Sequence, residues 1–264
     1  MVSHLPKPAT LRDWLLYLAT IAGCIMLVLR GAERLGYSWH WRQIPRYLGS
    51  LSDGVFVAGP LLKGLVVTLE ITGYSLVLAA SIGLVTALLR LSSSSIGRVL
   101  ARMYLEIIRN TPLLVQIFFL YFVMAPILDI GRTATAVLAL SLFEGAYASE
   151  IFRAGITSID RGQWEACYSL GLTQLQSYRK VILPQALRRV VPPMTSQAVS
   201  LIKDSALVST IAVYDVTMEG RTIIAETFFS FEIWFVVAAI YLVLTLTLST
   251  LASFLERHLF RTHA

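Results

Sequence analysis

Of 264 residues, 56% are hydrophobic and only 14% charged, too few to clothe the surface of a soluble domain of this length. Stretches of about 20 apolar residues recur and there are no alternating segments of about 10 residues, so a β-barrel is excluded and an all-α, polytopic helical membrane protein is expected. The net charge of +6 then fits basic loops on the cytoplasmic side of a bilayer rather than a nucleic-acid surface.

About six spans are predicted. The first covers about 12–29 and carries no small-residue cleavage signal, so it is expected to be retained. A polar stretch to about residue 59, with Trp39, Trp41, Pro45 and Tyr47, reads as an interfacial elbow, since aromatic rings favour the headgroup level. Spans at about 62–89, 101–127 and 133–156 follow. Residues 157–192 are too polar to cross a bilayer and too many for a turn; they carry Glu165, Arg179, Lys180, Arg188 and Arg189. The last two spans are about 193–213 and 232–255. Met26, Met103, Phe118, Phe119, Tyr121 and Phe122 read as lipid-facing or packing residues.

Span parity puts three basic regions on one side: Arg90, Arg98 and Arg102; the 157–192 segment; and Arg257 with Arg261. That side is expected to be the cytoplasm, together with the N-terminus and its Lys7 and Arg12. Arg30, Arg34, Arg42 and Arg46 fall on the opposite side, against the trend. No internal repeat is evident, whereas secondary transporters commonly carry two related halves, so symmetry is expected to come from pairing two chains.

Residues 164–184 read WEACYSLGLTQLQSYRKVILP. This resembles the cytoplasmic coupling loop of ATP-binding-cassette (ABC) importer permeases: Glu-Ala-Ala, three residues, Gly, nine residues, Ile, any residue, Leu-Pro. Glu165, Ala166, Gly171, Leu183 and Pro184 fall at that spacing, while Cys167 and Val181 replace Ala and Ile. Physically, small residues admit a partner surface, Gly171 can end a short helix and Pro184 can open the next. RNTPLLVQIFFLYF (109–122), EGAYASEIFRAGITSIDRGQ (144–163), LPQALRRVVPP (183–193) and SLIKDSALVSTIAV (200–213) extend the resemblance to the polar amino acid uptake family, over about residues 60–256.

The resemblance implies a type I ABC importer transmembrane fold. Residues 1–59 would be an N-terminal span plus periplasmic elbow, and 60–264 the transport domain with its coupling loop at about 157–192. It implies a bacterial cytoplasmic (inner) membrane location with both termini in the cytoplasm. The implied partners are an ABC ATPase subunit dimer, a second permease chain (identical or homologous), a periplasmic or lipid-tethered substrate-binding protein and an amino acid substrate. ATPase coupling would fall to Glu165, Ala166, Cys167, Gly171, Leu183 and Pro184. No Gly-x-x-x-x-Gly-Lys-Ser/Thr loop occurs and none of the four lysines follows a glycine. The chain is therefore expected to be no enzyme and to hold no cofactor or metal, with ATP and Mg on the partner ATPase.

Ionisable residues within spans are expensive and point to function. On the fifth span Ser196, Gln197, Ser200, Lys203 and Asp204 share a sector of roughly 120° and could line a substrate path, or Lys203 and Asp204 could neutralise each other. On the fourth, Glu144 and Tyr147 share a face; Glu144 could hold an ammonium group or pair with Lys203. Glu150, with Arg153 three residues on, reads as a structural ion pair. Arg109 and Gln116 flank Thr111-Pro112, where a broken helix could free carbonyls for a polar path or simply kink. A stand-alone secondary transporter or channel would explain the charges but not the 164–184 pattern. An intramembrane enzyme is disfavoured because His4, His40, His258 and His263 all lie outside the predicted spans.

Overall fold

The computed structural model describes residues 11–260 other than 35 and 53. Lys7, Arg261, His4 and His263 lie outside the described residues, as do the side chains of Arg34, Arg257 and His258. The chain forms two compact units, residues 1–41 and 42–264. The first contains α1 (Leu11–Arg34), whose apolar stretch is Trp14–Leu27, and a stack of Trp39 on Trp41 with ring planes 7° apart.

The second unit opens with α2 (Pro45–Leu48) and a hairpin that the sequence reading did not anticipate: β1 (Gly49–Ser52) antiparallel to β2 (Val55–Ala58). Gly54 takes the φ of +76° that a tight hairpin turn requires. Ile44, Tyr47 and Leu48 pack with Leu61, Ile233 and Val237, all within the second unit.

Next come α3 (Pro60–Leu91) and α4 (Ser95–Arg109), the latter capped by Ser94, whose hydroxyl accepts from the Gly97 N–H at 3.1 Å. The span expected over 101–127 is not one helix. It breaks at Asn110–Pro112, and α5 (Leu113–Phe119) continues through a wide π turn into α6 (Ala125–Leu128), bent by 106° from α4. Pro112 has no N–H to continue the ladder, and the residue before a proline is pushed out of helical geometry.

α7 (Arg132–Thr157) leads to α8 (Arg161–Ser169), α9 (Gln174–Ser177), a second π turn over Tyr178–Ile182 and α10 (Leu183–Asp204). The helix that carries the expected fifth span therefore begins at Leu183, ten residues before 193, and it ends in a 3-10 turn, Ser205–Ile211. Each π turn stops two residues before a proline, Pro126 or Pro184. The wider turn makes room for a ring that would clash with the carbonyl four residues back. The fold closes with α11 (Val216–Thr227) and α12 (Ser230–Phe260).

Among the described residues, α3, α7 and α12 are long and apolar enough to cross a membrane, and a fourth span results if the bent α4–α6 stretch is taken as one. α1, with its shorter apolar stretch Trp14–Leu27, and the more polar α10 stand where the first and fifth spans were expected. The centre of the bundle is the α3–α7 contact. α3 buries Ser75, Ala79, Gly83 and Ala87 at every fourth residue on the side where it packs against the buried alanines, serines and glycines of α7, while Gly64 and Thr68, nearer its start, meet Asp215 and Val216. Small side chains let two membrane helices approach until their backbones nearly touch. At Gly83 an added Cβ would stand 2.6 Å from the Ala148 Cβ and 2.9 Å from the Ser149 nitrogen.

Candidate functional site: a capped helical turn joined to an intramembrane polar cluster

Two parts of the molecule collect the residues that the sequence singled out, and α10 connects them. The first is the turn from Asp160 to Pro184. Asp160 caps α8, accepting from the Gly162 N–H at 2.7 Å. At its other end Gly171 adopts φ +69°, the Leu172 N–H reaches the Cys167 carbonyl at 3.1 Å and the Gly171 N–H that of Tyr168 at 2.9 Å. This paired pattern is the Schellman stop, and it needs a left-handed residue where Gly171 stands. Thr173 and Gln176 then form a reciprocal capping box that starts α9.

The turn is fastened on one side only. Trp164 meets Tyr178 edge-on at 4.9 Å, beside Ile159, Ile182 and Ala186, and Gln185 donates to Gln163 at 3.0 Å. Cys167 is 2% exposed and belongs to this inner side. Named among the coupling residues, it turns its side chain inward, one helical turn from Trp164. Glu165, Ala166, Tyr168, Leu170, Leu175, Leu183 and Pro184 remain exposed. Leu170 and Leu175, each 77% exposed, flank Gly171 as an apolar knob.

The second part lies between α7 and α10. Glu144 is 2% exposed, and the Gln197 side-chain amide donates to its Oε2. Its other oxygen, Oε1, is buried without a hydrogen-bond partner. Asp204 interacts electrostatically with Glu144 and with its neighbour Lys203. Lys203 is exposed and forms no ion pair within 4 Å among the described residues, so the alternative Glu144–Lys203 pair is not what fixes these helices. Tyr147 is half-buried with its ring against Phe143 at 5.1 Å, and Ser200 is half-buried on α10. A buried carboxyl group beside a half-buried one favours a cation or a proton between them. A spare buried carboxylate oxygen beside them is the acceptor an ammonium group would use.

Arg109 and Gln116 lie elsewhere. Arg109 reaches Glu150 at 3.3 Å, and the same carboxylate takes Arg90 at 2.5 Å and Arg153 at 3.0 Å. The expected Glu150–Arg153 pair is thus one arm of a hub that joins the ends of α3 and α4 to α7. The carbonyls expected to be free at the 110–112 break are taken by side chains: Glu106 by Asn110 at 2.7 Å, Ile107 by Thr111 at 2.8 Å and Ile108 by Gln116 at 2.8 Å. Gln116 repairs the break, since helix-end carbonyls in lipid must find partners.

Asp215 was missed by the sequence reading. It is fully buried, caps α11 through the Met218 N–H at 2.8 Å and accepts from the Tyr241 hydroxyl at 3.1 Å, while Thr68 takes the Val216 N–H at 3.3 Å. Burial pushes its carboxyl above the ordinary range, and the Met218 N–H and Tyr241 hydroxyl pull it back. An aspartate immediately before a helical run was the available signal. No group of three His, Cys, Asp or Glu suited to a metal occurs among the described residues, and Cys24 and Cys167 are free.

The family described as "Binding-protein-dependent transport system inner membrane component" matches residues 79–261. The Escherichia coli K12 glutamine transport system permease protein GlnP is 39% identical over 211 residues, which cover 78% of this chain and 96% of GlnP. The Bacillus subtilis 168 L-cystine transport system permease protein TcyB is 38% identical, with 76% and 88% covered. A crystal structure of an amino acid ABC transporter with histidines superposes with a TM-score of 0.71 at 38% identity, covering 75% of this chain and 94% of that one. An inward-facing MetNI methionine ABC transporter shares the fold, with a TM-score of 0.63 at 21% identity over 75% of this chain and 95% of that one. The chain is a transport subunit rather than an enzyme, and it belongs to the family of binding-protein-dependent transport system inner membrane components.

Proposed function

We propose that this permease carries polar amino acids inward, that Glu144, Gln197 and Asp204 meet the substrate's ammonium group, and that the turn at Glu165–Pro184 receives the push of a separate ATPase. The observation that carries the reading is continuity. Helical backbone runs from Gln174 through Pro184 to Asp204, so the exposed knob and the intramembrane cluster sit on one rod. From Pro184 to Gln197 the rod is about 20 Å long at 1.5 Å per residue. A displacement of α8 against its Trp164–Tyr178 contact moves α10, and with it Gln197 relative to Glu144.

Two permease chains would enclose the path, with a binding protein delivering substrate on the outside and two ATPase subunits holding Mg-ATP inside. The basic residues around Arg90–Arg102 and Arg179–Arg189 support placing this turn and both termini in the cytoplasm. Exposed Lys203 then faces the shared path rather than lipid. ATP drives the cycle only by favouring one of two global states. Ala166 and Gly171 leave the turn narrow enough for a groove, Leu170 provides its apolar tip and exposed Glu165 a charged edge.

Leu170→Asp is expected to weaken ATPase retention in detergent by roughly tenfold or more, the scale for truncating or charging an apolar anchor, while leaving the permease folded. Co-purification of the two chains measures it. Full ATPase retention with full uptake would remove α8 from the coupling role.

A further inference from the structure

We infer that α4 lies across the inner membrane interface as an amphipathic helix whose arginines hold the phosphates of anionic phospholipids. At about 100° per residue, α4 divides into three sectors. Gly97, Ala101 and Leu105 are buried against the bundle, and Tyr104 beside them donates to the Leu142 carbonyl at 2.6 Å. A second sector presents Ile96, Val99, Leu100, Met103 and Ile107, all more than half exposed. The third carries Arg98, Arg109 and Arg102, within about 40° of one another around the helix.

The orientation follows from the ends. α4 is bent by 106° from α5 and α6, so where that pair runs through the bilayer α4 lies steeply across it. Arg90, on the last turn of α3, and Arg109, the last residue of α4, meet the same Glu150 carboxylate. The helix therefore stays near the level at which α3 leaves the membrane. A helix with one apolar and one arginine-rich face at that level buries the first among acyl chains and sets the second among headgroups.

The charge is available for a ligand. Arg102 forms no hydrogen bond or ion pair among the described residues. Arg98 binds only the neutral Ser92 carbonyl at 2.8 Å and the Ser95 hydroxyl at 3.2 Å. The nearby carboxylate, Glu106, is engaged by Asn110 at 2.9 Å. A second copy of the chain fits this face less well, because a two-fold contact would set one arginine row against the other.

The test places a nitroxide on Met103→Cys in a Cys24→Ser background, Cys167 being buried, in the complete transporter. It is reconstituted in phosphatidylcholine with or without phosphatidylglycerol. The label is expected to collide with oxygen and to be shielded from a water-soluble nickel chelate; Leu100→Cys should report the same. Native mass spectrometry should show phosphatidylglycerol retention falling about fivefold for each of Arg98→Gln and Arg102→Gln. Free access of the nickel chelate overturns the proposal. So does a label shielded from both reagents with spin–spin broadening, which would mean a second copy covers the face, and so does unchanged lipid retention in the arginine variants.

Discussion

Glu144→Gln is expected to slow amino acid uptake by about ten- to a hundredfold, with the transporter still assembled and its melting temperature little changed. The substitution preserves volume and still lets the Gln197 amide donate to a carbonyl oxygen, so the α7–α10 contact survives. It removes the charge that would face an ammonium group. A hydrogen bond to a charged group is worth about 1.5–3 kcal/mol, which sets the range. Uptake of labelled amino acids by proteoliposomes and a thermal melt of the same sample separate the two roles. A large loss of stability with normal uptake per assembled complex would make Glu144 a packing residue. Normal uptake and normal stability would move the substrate contact away from Glu144, Gln197 and Asp204.

Gly83→Val is expected to leave no stable transporter. Its first added carbon already stands 2.6 Å from the Ala148 Cβ and 2.9 Å from the Ser149 nitrogen. The second of these is backbone, so α3 and α7 must separate along a contact that runs from Ser75 and Val137 to Arg90 and Glu150. Overpacking costs about 1–3 kcal/mol where a core can relax and more where it cannot. Gly73→Val on the same helix is the control: nothing lies within 4 Å of its added Cβ. Size-exclusion chromatography and a melt should show Gly83→Val aggregated or strongly destabilised and Gly73→Val within a few degrees of the native protein. Equal behaviour of the two would mean that close α3–α7 packing does not hold the bundle together.

The fold was legible wherever hydrophobicity is long and uninterrupted: α3, α7 and α12 lie within a few residues of their expected spans. It was less legible in how sharply the backbone turns within 101–127. Thr111-Pro112 read as a break or a kink in one span, yet the chain turns there by 106° and three side chains take over the stranded carbonyls. Those partners lie within eight residues of one another, but no pattern marks which polar side chain will fold back. Pro184 was read as opening a helix, but that this helix runs on unbroken to Asp204 was not, because Arg188 and Arg189 made residues 157–192 too polar to cross a bilayer.

The candidate site divides in the same way. Gly171 was read as a helix stop because its chemistry is local; Asp160, Thr173 and Gln176 carry equally local capping signals that went unread. That the Cys167 side chain is buried was not legible, because the motif gives spacing but not which side of α8 packs. The meeting of Glu144 with Gln197, 53 residues apart, and of Glu150 with Arg90, 60 apart, depends on tertiary packing that no periodicity reports. The small residues of α3, at nearly constant four-residue spacing, were on view in the sequence and were the signal for the α3–α7 contact.

The most direct measurement reconstitutes the chain with its co-purifying ATPase and binding protein and follows labelled amino acid uptake and ATP hydrolysis together, for the native chain and for Glu165→Ala. Accumulation against a gradient should require ATP and the ATPase. In Glu165→Ala it should fall along with ATPase stimulation, while the permease remains folded. Uphill uptake by the permease alone, without ATPase or ATP, or full coupling in Glu165→Ala, would contradict the account.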